Sequence, residues 1–156
     1  QFSPHTRAAM KRDELLNVLV DCRRAGIYRL PPCGRTELLE AAEAAGLVCF
    51  QVSFADADRI GRALGELGQA LGFPEWYGQN LDALKDCLTD LSWCQAAGYG
   101  LIIARAEILH AEDQVGFQAL NEVFAAAVAE WRSQACPMWV FYDLPADELA
   151  ILATHG

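Results

Sequence analysis

Positive charge is scarce in this chain: 12 Lys and Arg stand against 21 Asp and Glu over 156 residues, giving a net charge of −9 and a pI near 4.7. That balance opposes direct binding to nucleic acid or to an anionic membrane surface and favours a basic partner, although acidity also serves solubility alone. Long apolar runs are missing too. Uninterrupted stretches such as Val123 to Ala129 fall far short of the roughly 20 residues a bilayer crossing needs, so no membrane span is expected. Histidine is sparse and scattered, at His5, His110 and His155, and the six cysteines (Cys22, Cys33, Cys49, Cys87, Cys94, Cys136) show no CxxC spacing. No metal site or cofactor is therefore expected. The cysteines sit mostly inside apolar patterns and read as reduced thiols, and Gln1-Phe2-Ser3-Pro4 lacks the basic-then-apolar layout of a secretory signal, so a cytoplasmic location is expected.

What is present is apolar patterning. With 53% hydrophobic and 21% charged residues the chain has the material for one ordinary domain and is not disordered throughout. An apolar stripe of Leu15, Leu16, Leu19, Val20 and Cys22 predicts a helix over about Lys11 to Arg24, with Gly26 as its stop. Ile27 to Leu30 reads as a short strand ended by Pro31-Pro32, Arg35 to Ala45 as helix closed by Gly46, and Leu47 to Val52 as a buried strand. A helix over about Ala57 to Leu71 carries Ile60, Leu64, Leu67 and Leu71 on one face and stops at Gly72. After a loop from Phe73 to Gln79, Asn80 is the N-cap of a helix ending near Leu91. Tyr99 to Ala104 and Met138 to Tyr142 read as strands flanking a long helix with Phe117, Leu120, Phe124, Val128 and Trp131, while Glu107, Glu112 and Asp113 read as a solvated connection and helix entry. Strands separated by helices argue for an α/β fold with a small, mainly parallel sheet.

The helix from Asn80 to Leu91 divides its residues. Leu81, Leu84, Leu88 and Leu91 fall on one side, and Asp82, Asp86 and Asp90 recur every four residues on the other. Such aspartates lie only about 40° apart around the axis, so like charges line one stripe, which suits solvent or a cationic partner. Asp82 is favoured in the first turn by the helix dipole. Immediately before stand the adjacent aromatics Trp76 and Tyr77, which serve equally as core cover or as contact surface for a basic protein. Catalysis is not expected. Asp82 and Asp86 share one face without a nucleophile or metal cluster, Ser3, Ser53, Ser92 and Ser133 lack a strand-turn-helix glycine motif, and Cys87 beside Leu84 and Leu88 reads as a packed core thiol.

The unbroken run FPEWYGQNLDALKDCLT, Phe73 to Thr89, strongly resembles the barstar family, intracellular protein inhibitors of microbial ribonucleases such as barnase. Tyr99 to Ala104, the helix with Val123-Phe124, and Cys136 followed by Met138 to Tyr142 occur in the family's order. The resemblance implies a barstar-like parallel sheet of three strands packed by helices, with Ile27 to Leu30 available as a fourth at an edge. It divides the chain into an N-terminal extension (1–46) packed on the core, a barstar-like domain (47–145) and a C-terminal tail (146–156). It further implies a stoichiometric inhibitor, of antitoxin-like immunity type, that plugs a basic ribonuclease with its loop and acidic helix and needs no cofactor. Carried over position by position, Trp76 falls where an aromatic packs on the nuclease, Gly78 and Asn80 shape the loop, and Asp82 and Asp86 match the carboxylates. Asp86 is the expected anchor, standing in for an RNA phosphate among the nuclease's cationic side chains. Tyr77, Lys85 and Thr89 complete the expected partner-binding set, and Trp93 is a weaker candidate at its rim. Three positions depart from the prototype: Lys85 replaces a bulky apolar residue, Ala126 a glutamate used against the nuclease, and Gly100 a proline. The first two leave open a family-fold module that binds a different basic protein.

Overall fold

A strand that is apolar without alternation needs cover on both faces, and the segments of that kind lie side by side in the middle of the sheet. The computed structural model describes residues 12–30, 34–74, 77–92 and 94–143. It places β1 (Ile27–Arg29), β2 (Leu47–Ser53), β3 (Gly98–Ala104) and β4 (Met138–Asp143) in one sheet, every pair parallel, in the order β1-β4-β3-β2. Central β3 and β4 are buried along nearly their whole length. In register, Leu101 lies between Phe50 and Val140, and Val140 is paired in turn with Ile27. The expected edge strand thus joins the sheet through β4. The helices are α1 (Arg12–Leu19), α2 (Gly34–Ala44), α3 (Ile60–Leu71), α4 (Leu81–Asp90), α5 (Glu107–Glu112) and α6 (Gln114–Ser133).

Alternation along β4 shows how the layers form. Trp139 and Phe141 point one way, their rings stacked 5.7 Å apart, and the Trp139 indole N–H donates to the Leu19 carbonyl that ends α1 (3.0 Å). Tyr142 points the other way, meeting Phe117 of α6 edge-on at 5.4 Å and donating its hydroxyl to Asn121 (2.8 Å). α1 and the α2 packed against it therefore cover one face, while α3, α4 and α6 cover the other. Leu15, Leu19 and Leu38 are as fully buried as Leu67, Leu84 and Trp139, so one core spans both halves of the chain. The Arg132 guanidinium, at the end of α6, donates to the carbonyls of Cys22 (3.1 Å) and Ala25 (2.6 Å) and holds the α1–β1 link in place.

Element boundaries differ from the sequence reading where side chains intervene. α1 stops at Leu19, well before Gly26, because the Asp21 carboxylate accepts the Arg23 backbone N–H and its guanidinium, forming a local turn that competes with helix. α3 begins at Ile60 rather than near Ala57, with Arg59 extended at its N-cap. The connection expected around Glu107 is a short helix, α5, and the entry residue Asp113 caps two helices at once. Its Oδ1 accepts the Gly116 N–H of α6 and its Oδ2 the Ile60 N–H of α3, both at 3.0 Å. The five cysteines among the described residues, Cys22, Cys49, Cys87, Cys94 and Cys136, are unpaired thiols. No helix among the described residues is long and apolar enough to cross a membrane. The expected tail, 146–156, lies outside the described residues.

Candidate functional site

The loop is aimed by the way α3 ends. Gly72 takes φ 66° and ψ 40°, a left-handed conformation that glycine adopts without a Cβ penalty, and its N–H turns back onto the carbonyls of Gln69 and Gly68. The chain then reverses along the glycine-bearing side of α3. Tyr77 fastens it there: the hydroxyl donates to the Leu64 carbonyl (2.9 Å) and the ring meets Phe73 edge-on at 4.7 Å. A Cβ at Gly68 would come within 2.7 Å of the Tyr77 ring, so only glycine admits this contact. Burial pushes the Tyr77 phenol well above its ordinary value. Beside it the surface opens into a groove of about 690 Å³ lined by Gly65, Gly68, Gln69, Tyr77 and Gln79. Gly78 is exposed at the loop's end, and Gln79 adopts φ 53° before the chain enters α4.

α4 starts as its sequence predicts. Asn80, at φ −130° and ψ 170°, accepts the Ala83 N–H on its Oδ1 (2.7 Å). Leu84, Cys87 and Leu88 are buried, and Leu81 is half-buried. The opposite side brings Asp82, Lys85, Asp86 and Asp90 together at the surface, with Thr89 half-buried between them and donating its hydroxyl to the Lys85 carbonyl (2.8 Å). Asp90 accepts from Ser92 (3.2 Å). Among the described residues, the side chains of Asp82, Lys85 and Asp86 have no ion-pair or hydrogen-bond partner, so their charges face solvent. The far end of α4 is pinned from α6, where the Trp131 indole N–H donates to the Leu88 carbonyl (2.7 Å) while its ring lies 5.0 Å from Tyr99. Leu91 closes the helix at φ 46°. The Cys87 thiol lies fully under the helix and is pushed up to about 11 by burial and by the carboxylates of Asp86 and Asp90, which makes it a poor nucleophile. No three His, Cys, Asp or Glu among the described residues are grouped to hold a metal ion.

Of the sequence-predicted set, Tyr77, Gly78, Asn80, Asp82, Lys85, Asp86 and Thr89 therefore occupy one loop and one helix face, whereas Trp76 and Trp93 lie outside the described residues. The family model for barstar, the barnase inhibitor, matches residues 47–143. The chain belongs to the barstar family. No curated protein matches it. Barstar-family members are inhibitors rather than enzymes, and the loop and α4 lie inside the matched region, while α1, β1 and α2 lie outside it. Two residues that position this barstar helix and loop, Gly68 and Trp131, carry no sign of that role in the sequence. Gly61, Gly65, Gly68 and Gly72 do recur at helical spacing, a readable sign that something lies close to α3, but nothing in the sequence says that Tyr77 is what does.

Proposed function

We propose that this protein inhibits a basic endoribonuclease stoichiometrically, the loop and α4 covering the enzyme's phosphate-binding site. The observation that carries the reading is the pair of unpartnered carboxylates, Asp82 and Asp86, one turn apart on the exposed face of a helix that is capped at both ends. Preorganised anions lose little freedom on meeting a cationic pocket, and a net charge of −9 steers the encounter. Asp86 is the anchor that stands in for the scissile phosphate, and Asp82, Thr89 and the loop residues Trp76 to Asn80 surround it. No chemistry is performed on the target; the site is occluded. Unpaired thiols suit a reducing compartment, where such an inhibitor would guard the cell against its own nuclease.

Titration into a panel of small microbial ribonucleases, read by RNA cleavage, tests this. One-to-one inhibition of at least one member is expected, with Asp86→Ala weakening it by about 2–5 kcal/mol or more, the range for truncating one partner of a buried, hydrogen-bonded charge pair. Unchanged affinity in both Asp86→Ala and Asp82→Ala would sink the site assignment. A second reading, a barstar-fold module for a different basic protein, draws on Ala126, which leaves α6 without the prototype's acidic contact, and on the exposed cation Lys85. Affinity capture with the intact chain separates the two, because the first reading requires a nuclease among the recovered proteins.

A further inference from the structure

We propose that residues 148–154 of the C-terminal tail lie along the outer edge of β2 as an added, antiparallel strand. That edge needs a cover. β2 pairs with β3 alone, and its seven residues include no charge, no proline and no glycine. The Phe54 N–H donates to the Ala104 carbonyl (2.8 Å), so by alternation the backbone groups of Phe50 and Val52 also turn toward β3, and those of Cys49 and Gln51 turn outward. Among the described residues nothing donates to or accepts from these outward groups. Val48 and Phe50 beside them are only half-buried. Exposed edges are ordinarily blunted by charge, proline, a bulge or a covering segment, and the unbroken register of β2 with β3 leaves only the last. The sheet's other open edge, on β1, is just three residues long.

The chain itself supplies the cover. β4 ends at Asp143, level with Ala104 and, across β3, with Ser53, so residues 144–156 set out from the end of the sheet where β2 finishes. Strands stand about 4.8 Å apart, which puts a strand outside β2 three spacings, about 14 Å, from β4. The link 144–147 reaches about 16–18 Å when extended. It has a free way across, because β2 and β3 leave the sheet toward α3 and toward α5, which packs on α6, on the face opposite α2. Arg35, at the start of α2, marks that way: its guanidinium lies 3.7 Å from Asp143 and donates to the Gln51 Oε1 (3.3 Å). Running back from Ser53 to Leu47, the segment Glu148 to Thr154 matches β2 in length. Leu149 then pairs with Val52 and Ile151 with Phe50, on the side where Phe50 meets Leu71 of α3, while Glu148 comes beside Arg35. A slip of one residue would exchange the two sides, so burial and charge fix the register. A second copy of the chain fits the edge less well, because two molecules of net charge −9 repel.

Amide hydrogen exchange, read residue by residue by NMR, tests this on the full chain, on a chain ending at Asp143, and on Leu152→Pro, which removes one N–H of the added strand. In the full chain the Cys49 and Gln51 amides should exchange nearly as slowly as those of Phe50 and Val52. Both variants should speed Cys49 and Gln51 by about tenfold or more and leave Phe50 and Val52, which are bonded to β3, unchanged. Slow Phe50 and Val52 amides also report that the fold is kept. Should the shortened chain lose them, Leu152→Pro decides. Outward amides that exchange fast in the full chain, or that stay slow in either variant, overturn the proposal. So does protection that rises with protein concentration together with a doubled mass, which would make a second copy the occupant of the edge.

Discussion

Tyr77 does two separable things, placing its ring against Gly68 and its hydroxyl on the Leu64 carbonyl, and substitution can remove them one at a time. Tyr77→Phe keeps the ring and should lose about 1 kcal/mol of stability in urea unfolding, the net worth of one intramolecular hydrogen bond. Gly68→Ala should cost more and should also speed dissociation from a bound nuclease, since the new Cβ drives the ring and the loop outward; an unchanged urea midpoint would refute the close approach. Asp113 makes a prediction about pH. Two backbone N–H donors, from Ile60 and Gly116, hold its carboxyl below the ordinary value, so the unfolded state binds the proton more readily. The stability it adds is complete above about pH 4 and is lost as pH falls through the lower, folded-state pKa. Asp113→Ala should therefore melt below the parent at pH 7, with the gap narrowing near pH 3. The seating of Tyr77 and the bond from Ile60 to Asp113 are not legible in the sequence, because the groups satisfied sit on other elements, whereas the Gly116 bond lies three residues on, within the helix entry that the sequence suggests.

Within α4 the reverse holds, and almost every feature is local. Its period, its acidic first turn and its Asn80 cap all follow from residues within four positions of one another. Asn80→Ala should destabilise the fold by about 1 kcal/mol and loosen the face that carries Asp82, while Asn80→Asp, which retains the acceptor, should not; equal melting temperatures for the two variants would argue against the cap. What locality leaves out is the helix's far end, where Trp131 reaches across from α6 to the Leu88 carbonyl. Both residues fall on apolar helix faces in the sequence, where nothing signals that an indole N–H meets that carbonyl.

The second face of the sheet rests on residues that lie outside the barstar match. Trp139, Phe141 and Ile102 are almost wholly buried, and the layer packed over this face is formed by α1 and α2, with β1 alongside β4. A chain beginning at Leu47 should accordingly lose much of its stability, since each large side chain returned to water costs about 1.5–3 kcal/mol. A melting temperature equal to the parent's would mean that this layer is dispensable. Charge acts on the molecule as a whole: the association rate with a basic nuclease should fall as salt rises and the Debye length shrinks toward about 8 Å at physiological strength, while dissociation changes less.

Order along the chain was enough to specify the parallel α/β class, the strands, the acidic stripe opposite the leucines and the loop that precedes it, because each depends on periodicity or on groups a few residues apart. Strand order, the place of β1 beside β4, the sharing of Asp113 between two helix starts and the seating of Tyr77 on Gly68 arise only on folding. They join groups distant in sequence, and the hydrogen bonds and close contacts involved do not exist until α3, α6 and the sheet have packed together.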